Sequence, residues 1–183
     1  MKIAVFCSAN SNIDPNFFQL TEELGRWMAS EGHTLVYGGC NSGLMECIGK
    51  AVHQGGAMTI GVIPTLVETG GRRSDYVDVD IPCDNLNDRK QLMLMHSDVA
   101  VALPGGIGTL DEMFSMAAGH TIGYHQKRVI AYNMNGCWNK LVDMLDDLQR
   151  QGFIRGQYTD YINVANNLDE VKRIIADCHP AED

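Results

Sequence analysis

The sequence predicts a doubly wound α/β fold, a mostly parallel sheet in a Rossmann-like three-layer αβα arrangement. Three observations carry that reading. Short β-branched or apolar runs alternate with longer helical patterns along nearly the whole chain. Central runs such as IAVFC (3–7) and DVAVALP (98–104) are strongly apolar, as strands covered on both faces must be. Helical segments separate most of the runs, which is the connection parallel strands require. A length of 183 residues suits one domain, spanning 1–183, with a sizeable core.

Each element has its own signal. IAVFC (3–7) is the first strand, read as such and not as a signal peptide because no small-residue cleavage site follows. Pro15 opens a helix with apolar Phe18, Leu24, Trp27 and Met28, and Gly32 closes it. TLVY (34–37) is the second strand, and a Gly-rich turn leads to a helix over 43–54. MTIGVI (58–63) is the third strand. PTLVETGGRRSD (64–75) reads as one long mobile loop, a kind often used for function. YVDVDI (76–81) alternates apolar and acidic residues, as expected of an edge strand. A helix over about 87–96, the strand 98–104 and a helix from near Thr109 to about Ala118 come next. RVIAYN (128–133), a helix over 138–151, a short strand near 161–164 and a C-terminal helix complete the series.

Composition narrows the function. Hydrophobic residues make up 45% and charged residues 20% of the chain, which excludes a disordered protein. No apolar run reaches the length of a membrane span. The formal net charge of −9 excludes an extended nucleic-acid or anionic-membrane surface, but leaves room for a small phosphorylated ligand. Six cysteines, Cys7, Cys40, Cys47, Cys83, Cys137 and Cys178, form no C-x-x-C pair and match no zinc framework. They read as free thiols of a cytoplasmic protein, with no metal expected.

Three polar or Gly-rich segments leave strands at their carboxyl ends: CSANSN (7–12), YGGCNSG (37–43) and PGGIGT (104–109). In a doubly wound sheet they converge where ligands bind. Gly105, Gly106 and Gly108 allow bare backbone approach, and a helix starting near Thr109 would point unpaired N–H groups into the cleft, a phosphate cradle that needs no lysine. The turn lacks both the GK[ST] ending of a P-loop and the spacing of G-x-G-x-x-G. Thr109-Leu110-Asp111-Glu112 also has the form of a capping box, with Thr109 as N-cap and Glu112 reaching back to its N–H. Spacing alone leaves Glu112 open between capping and catalysis.

PGGIGTLDE (104–112) resembles the PGGxGTxxE signature of the Lonely Guy family, cytokinin riboside 5′-monophosphate phosphoribohydrolases of which many carry an older "lysine decarboxylase" label. The likeness extends over FCSAN, EGHTLVYGG, SGLME, GVIP, DRK, SDVAVALPGG and GYHQK. It implies a homodimeric, cofactor-independent enzyme that hydrolyses the N-glycosidic bond of nucleoside 5′-monophosphates, releasing base and ribose 5-phosphate. It further implies Arg89 and Glu112 as the catalytic pair. Lys90, Gly105, Gly106, Gly108 and Thr109 would line the phosphoribose site, with Ser8 and Gly39 on neighbouring loops and Glu68 a looser match. The chemistry suits the pair, because a carboxylate stabilises the positive charge that builds on the sugar ring and can orient or deprotonate water. Arg89 would either stabilise the leaving base or hold Glu112 in register. Two departures bear on the base: Cys40 replaces the family's third glycine, and Ala118-Gly119-His120-Thr121 replaces its tryptophan-bearing segment. AMP is therefore the expected substrate, ahead of cytokinin forms. The competing reading is a binding protein of the same fold that holds a nucleotide or phosphorylated cofactor without hydrolysis. Met93, Met95, Met113 and Met116 read as core or dimer interface.

Overall fold

The computed structural model describes residues 1–178. Its strands are β1 (Lys2–Phe6), β2 (Thr34–Tyr37), β3 (Thr59–Pro64), β4 (Val79–Cys83), β5 (Val99–Ala102), β6 (Val129–Tyr132) and β7 (Ile162–Ala165). Its helices are α1 (Pro15–Ser30), α2 (Gly43–Gln54), α3 (Thr65–Thr69), α4 (Leu86–Met95), α5 (Ile107–Thr121), α6 (Asn139–Arg150) and α7 (Leu168–Ala176). All seven strands pair in parallel in one sheet of order β4-β3-β2-β1-β5-β6-β7. The chain winds outward from β1 to β4, then crosses back to lay β5 on the other side of β1. That reversal is a topological switch point, where the connections leaving β1 and β5 part and a crevice opens.

Strand residues alternate between two cores, the period of two that a pleated strand imposes. Ile3, Val5, Leu35, Tyr37, Val99 and Val101 face Leu24 and Met28 of α1, Leu44 and Ile48 of α2, and Val171 of α7. On the opposite face the strands present Ala4, Ala100, Ala102 and Ala131 to Met93, Met113, Met116 and Leu145 of α4, α5 and α6. Three of these methionines belong to the buried layer, whereas Met95 is exposed. Alanines on this face give α4 and α5 space to sit close to the sheet, directly beside the switch point. Each fully buried methionine there contributes about 1.5–3 kcal/mol of transfer free energy.

Caps fix where the two site helices begin. The side chain of Asn85 accepts hydrogen bonds from the N–H groups of Asn87 and Asp88, so α4 starts one residue later and Arg89 and Lys90 fall just past its first turn. α5 begins at Ile107 with Gly106 as N-cap, two residues ahead of the expected start, and runs on to Thr121. Thr109 therefore lies inside the helix, and the expected capping box does not form.

Two other expectations change. The 64–75 stretch contains α3 and is stitched to the loop after β2: Asn41 N–H donates to Arg72 O, Ser74 N–H donates to Gly39 O, and Cys40 forms an antiparallel bridge with Arg73. The edge strand begins at Val79, not at Tyr76. Thr59 takes the preceding residues into side-chain bonds, its hydroxyl donating to Tyr76 O at 2.5 Å and the Asp78 carboxylate accepting its N–H at 2.8 Å. Among the described residues, no helix is long and apolar enough to cross a membrane.

Candidate active site

The three strand-leaving segments meet at the switch point. Ser8 joins them: its N–H donates to Pro104 O, its carbonyl accepts from Leu44 N–H at the start of α2, and its hydroxyl accepts from Asn10 N–H. The PGGIGT turn thus rests against the end of β1. Gly106 and Gly108 are exposed, with open space where a Cβ would project. The first N–H groups of α5 have no partners within the helix, whose first bond is from Leu110 N–H to Gly106 O. Gly105 serves a packing need: a methyl there would collide with the Thr109 side chain, which folds over it and is itself buried.

Glu112 stands one turn further along α5. Its carboxylate does not reach back to Thr109; Oε1 lies 3.3 Å from Nη1 of Arg89, across the gap between α4 and α5. Both side chains are deep, 13% exposed for Arg89 and 6% for Glu112. Burial raises the Glu112 pKa above its ordinary 4.5, and the Arg89 charge opposes that rise. The Cys7 thiol at the end of β1 is pushed well above its ordinary value by burial and by the Glu112 charge. Nε of Arg89 is buried and has no hydrogen-bond partner among the described residues. The guanidinium lies so close to Gly38 that any side chain there would strike Nη2.

Lys90 points the same way as Arg89 and forms a second rung, its Nζ 2.8 Å from Oδ1 of Asp111. Consecutive cations on α4 thereby face consecutive carboxylates on α5. A cavity of about 280 Å³ opens between these helices. Lys90 and Glu112 line it with Phe6, Leu94 and Met116 on the apolar side, and Asn87, Gln91 and Ser115 as polar groups.

Of the residues named from sequence, Arg89, Lys90, Glu112, Ser8 and the 105–109 turn share this one end of the sheet. Gly39 has a left-handed φ of 62° and supports the adjoining loops through its carbonyl. Glu68 is exposed on α3, and no hydrogen bond or ion pair joins it to Arg89, Lys90 or Glu112 among the described residues. Sequence reading missed Gly38, whose signal was the Gly-Gly doublet at the end of TLVY. It also missed Asp111 as the partner of Lys90, and the cavity wall of Asn87, Gln91 and Ser115.

A switch-point crevice, a buried carboxylate–guanidinium pair and a lined cavity define a Rossmann-like protein with a candidate ligand site at the carboxyl end of its sheet. Residues 45–175 match the family described as "Possible lysine decarboxylase". The chain is 33% identical over 181 residues to cytokinin riboside 5′-monophosphate phosphoribohydrolase LOG3 of Arabidopsis thaliana, covering 97% of this chain and 84% of that one. Among solved structures it is similar to TM1055, with a TM-score of 0.74 and 26% identity over 96% of this chain and 98% of the other. The molybdenum cofactor binding protein of Rippkaea orientalis shares the fold, with a TM-score of 0.71 and 21% identity over 96% and 95% of the two chains. The chain belongs to the family that joins the "Possible lysine decarboxylase" proteins and the cytokinin riboside 5′-monophosphate phosphoribohydrolases.

Proposed function

We propose that this protein is a phosphoribohydrolase that cleaves the N-glycosidic bond of nucleoside 5′-monophosphates, releasing free base and ribose 5-phosphate. AMP and cytokinin riboside 5′-monophosphates are its substrates, AMP the better one. The observation that carries the reading is the buried Arg89–Glu112 pair beside a helix N-terminus bared by Gly106 and Gly108. In this reading the N–H groups of the turn and Lys90 take the 5′-phosphate. The ribose then lies over Glu112, and the base enters the cavity between α4 and α5. As the bond to the base lengthens, positive charge grows on the sugar ring, and the Glu112 carboxylate stabilises it and orients the attacking water. Arg89 holds Glu112 in register through the Nη1–Oε1 contact. Gly39 and Glu68 act from the loops around the crevice, Gly39 by supporting them and Glu68 at the rim. The enzyme works in the cytoplasm, in keeping with six free cysteines. It acts as a homodimer through the outer sides of α4 and α5, where Leu86, Met95 and Ile107 are exposed.

The test is incubation with AMP and with isopentenyladenosine 5′-monophosphate, following free base and ribose 5-phosphate. Release is expected from both, lost in Glu112→Gln and in Arg89→Ala proteins that stay folded. Tight nucleotide binding without release from any purine or pyrimidine monophosphate would overturn the reading. Sedimentation at micromolar concentration tests the dimer.

A further inference from the structure

The Lys90–Asp111 rung has a part to play that the chemistry above does not use. Lys90 lines the cavity; Asp111 does not, and sits outside it with its side chain 46% exposed against 21% for Lys90. Ser115 is a second, weaker partner, its hydroxyl donating to Oδ1 of Asp111 at 3.4 Å. The cation is therefore tethered from outside while its head lines the cavity, next to where the proposed reading puts the phosphate. An ion pair this exposed is weak, and lysine carries its charge on a flexible stem with three rotatable donors. A phosphate dianion at the turn offers it a stronger partner than one half-solvated carboxylate.

We propose that Lys90 is a shared cation: Asp111 holds it beside Glu112 in the free protein, and the substrate's phosphate takes it over on binding. This rests on the phosphoribohydrolase reading. Asp111 is then a positioning residue that acts through Lys90 and through its own charge. When Lys90 turns to the phosphate, Asp111 is left uncompensated next to Glu112. The groups facing Glu112 are Arg89 and Lys90 from α4, Asp111 from α5 and the neutral Cys7 thiol from β1. Withdrawing one cation and baring one anion both favour the protonated carboxyl. Substrate binding thereby makes Glu112 a stronger base at the moment a water must be activated, while in the free protein Arg89 balances Glu112 and Lys90 balances Asp111.

The test follows the Glu112 carboxyl by ¹³C NMR during pH titration, with and without saturating ribose 5-phosphate, in the native protein and in Asp111→Asn. The native midpoint is expected to move upward on saturation, and the variant's to move less, because the phosphate's own charge and the withdrawal of Lys90 still act while the bared Asp111 charge is gone. In turnover of AMP, Asp111→Asn should lower kcat about threefold while KM stays within about twofold, and its acid limb should move to lower pH. Asp111→Glu should restore both. Equal midpoint displacement in native and Asn proteins overturns the proposal even if AMP hydrolysis is intact. Ribose 5-phosphate binding with the expected displacements, but no base release from any nucleoside monophosphate, overturns the hydrolase reading and leaves the charge exchange standing.

Discussion

α5 borders two cavities, one along its middle and one at its C-terminal end, and they differ in how their polar groups are used. At the C-terminal end a space of about 500 Å³ is lined by His120, Arg155, Asp160 and Tyr161 with Ile122, Phe153 and Ile154. It is the larger of the two, yet His120 in its wall serves the chain itself, while Nε2 of the neighbouring His125 is buried without a partner among the described residues. His120 Nδ1 pairs with Lys127 O at 3.0 Å, Lys127 N–H donates to His125 Nδ1, and Lys127 Nζ reaches Leu94 O to close the end of α4. The cavity along the middle is smaller, but Glu112 in its wall is paired with a buried guanidinium, burial raises that carboxyl's pKa, and the glycines that open α5 leave the helix start uncovered one turn away. Groups held ready for a ligand, and not volume, distinguish a site from a hollow.

The contrast can be broken from the middle of the helix first. Glu112→Gln is expected to reduce kcat by about 10³-fold, since the group that balances charge in the transition state becomes neutral while its shape is kept. Single-turnover assays with AMP, alongside circular dichroism, check it. Next in size is Gly38→Ala. The added methyl displaces Arg89, and a shift of about 1 Å at the pair is expected to cost about 10²-fold in kcat/KM with little change in thermal stability.

The third effect concerns pH. In the proposed mechanism the carboxylate form of Glu112 is the working one, so the acid limb of kcat/KM should lie above the ordinary glutamate value of 4.5. The sign for stability follows from the same shift. The folded state binds this proton more tightly than the unfolded chain does, so its contribution is full below the ordinary value. It is lost as pH rises through the raised one. Melting temperature against pH, native beside Glu112→Gln, should show that slope only in the native protein. The smallest effect belongs to the C-terminal end of the helix. His120→Ala should leave AMP turnover within about twofold and cost about 1 kcal/mol of stability, the worth of its bond to Lys127 O. A large loss of activity there would erase the distinction between the two cavities.

Much of this was legible in the sequence because parallel strands advertise themselves. VAVA of β5 and VIAY of β6 are buried at every position, and such runs read the same in isolation as in the sheet. β4 was displaced by three residues because Thr59 claims Tyr76 and Asp78 through its side chain, an interaction that no periodicity records. Glu112 was ambiguous for a similar reason. The spacing from Thr109 fits a capping box, but the helix starts at Ile107, and the partner that takes the carboxylate is Arg89 on another helix. Gly38 was passed over because the demand for a glycine comes from a side chain distant in sequence.

The order of strands also sets when this site can exist. β1 pairs with β2, the next strand made, but its other edge waits for β5, with Ile3 opposite Val99. During synthesis β1 carries an unpaired, wholly apolar edge until most of the sheet has emerged, the kind of edge that recruits foreign strands. Ser8 cannot meet Pro104 before that closure. The crevice is therefore a late product of a long-range pairing, and strand substitutions at the β1–β5 seam should show themselves in refolding yield before they show in turnover.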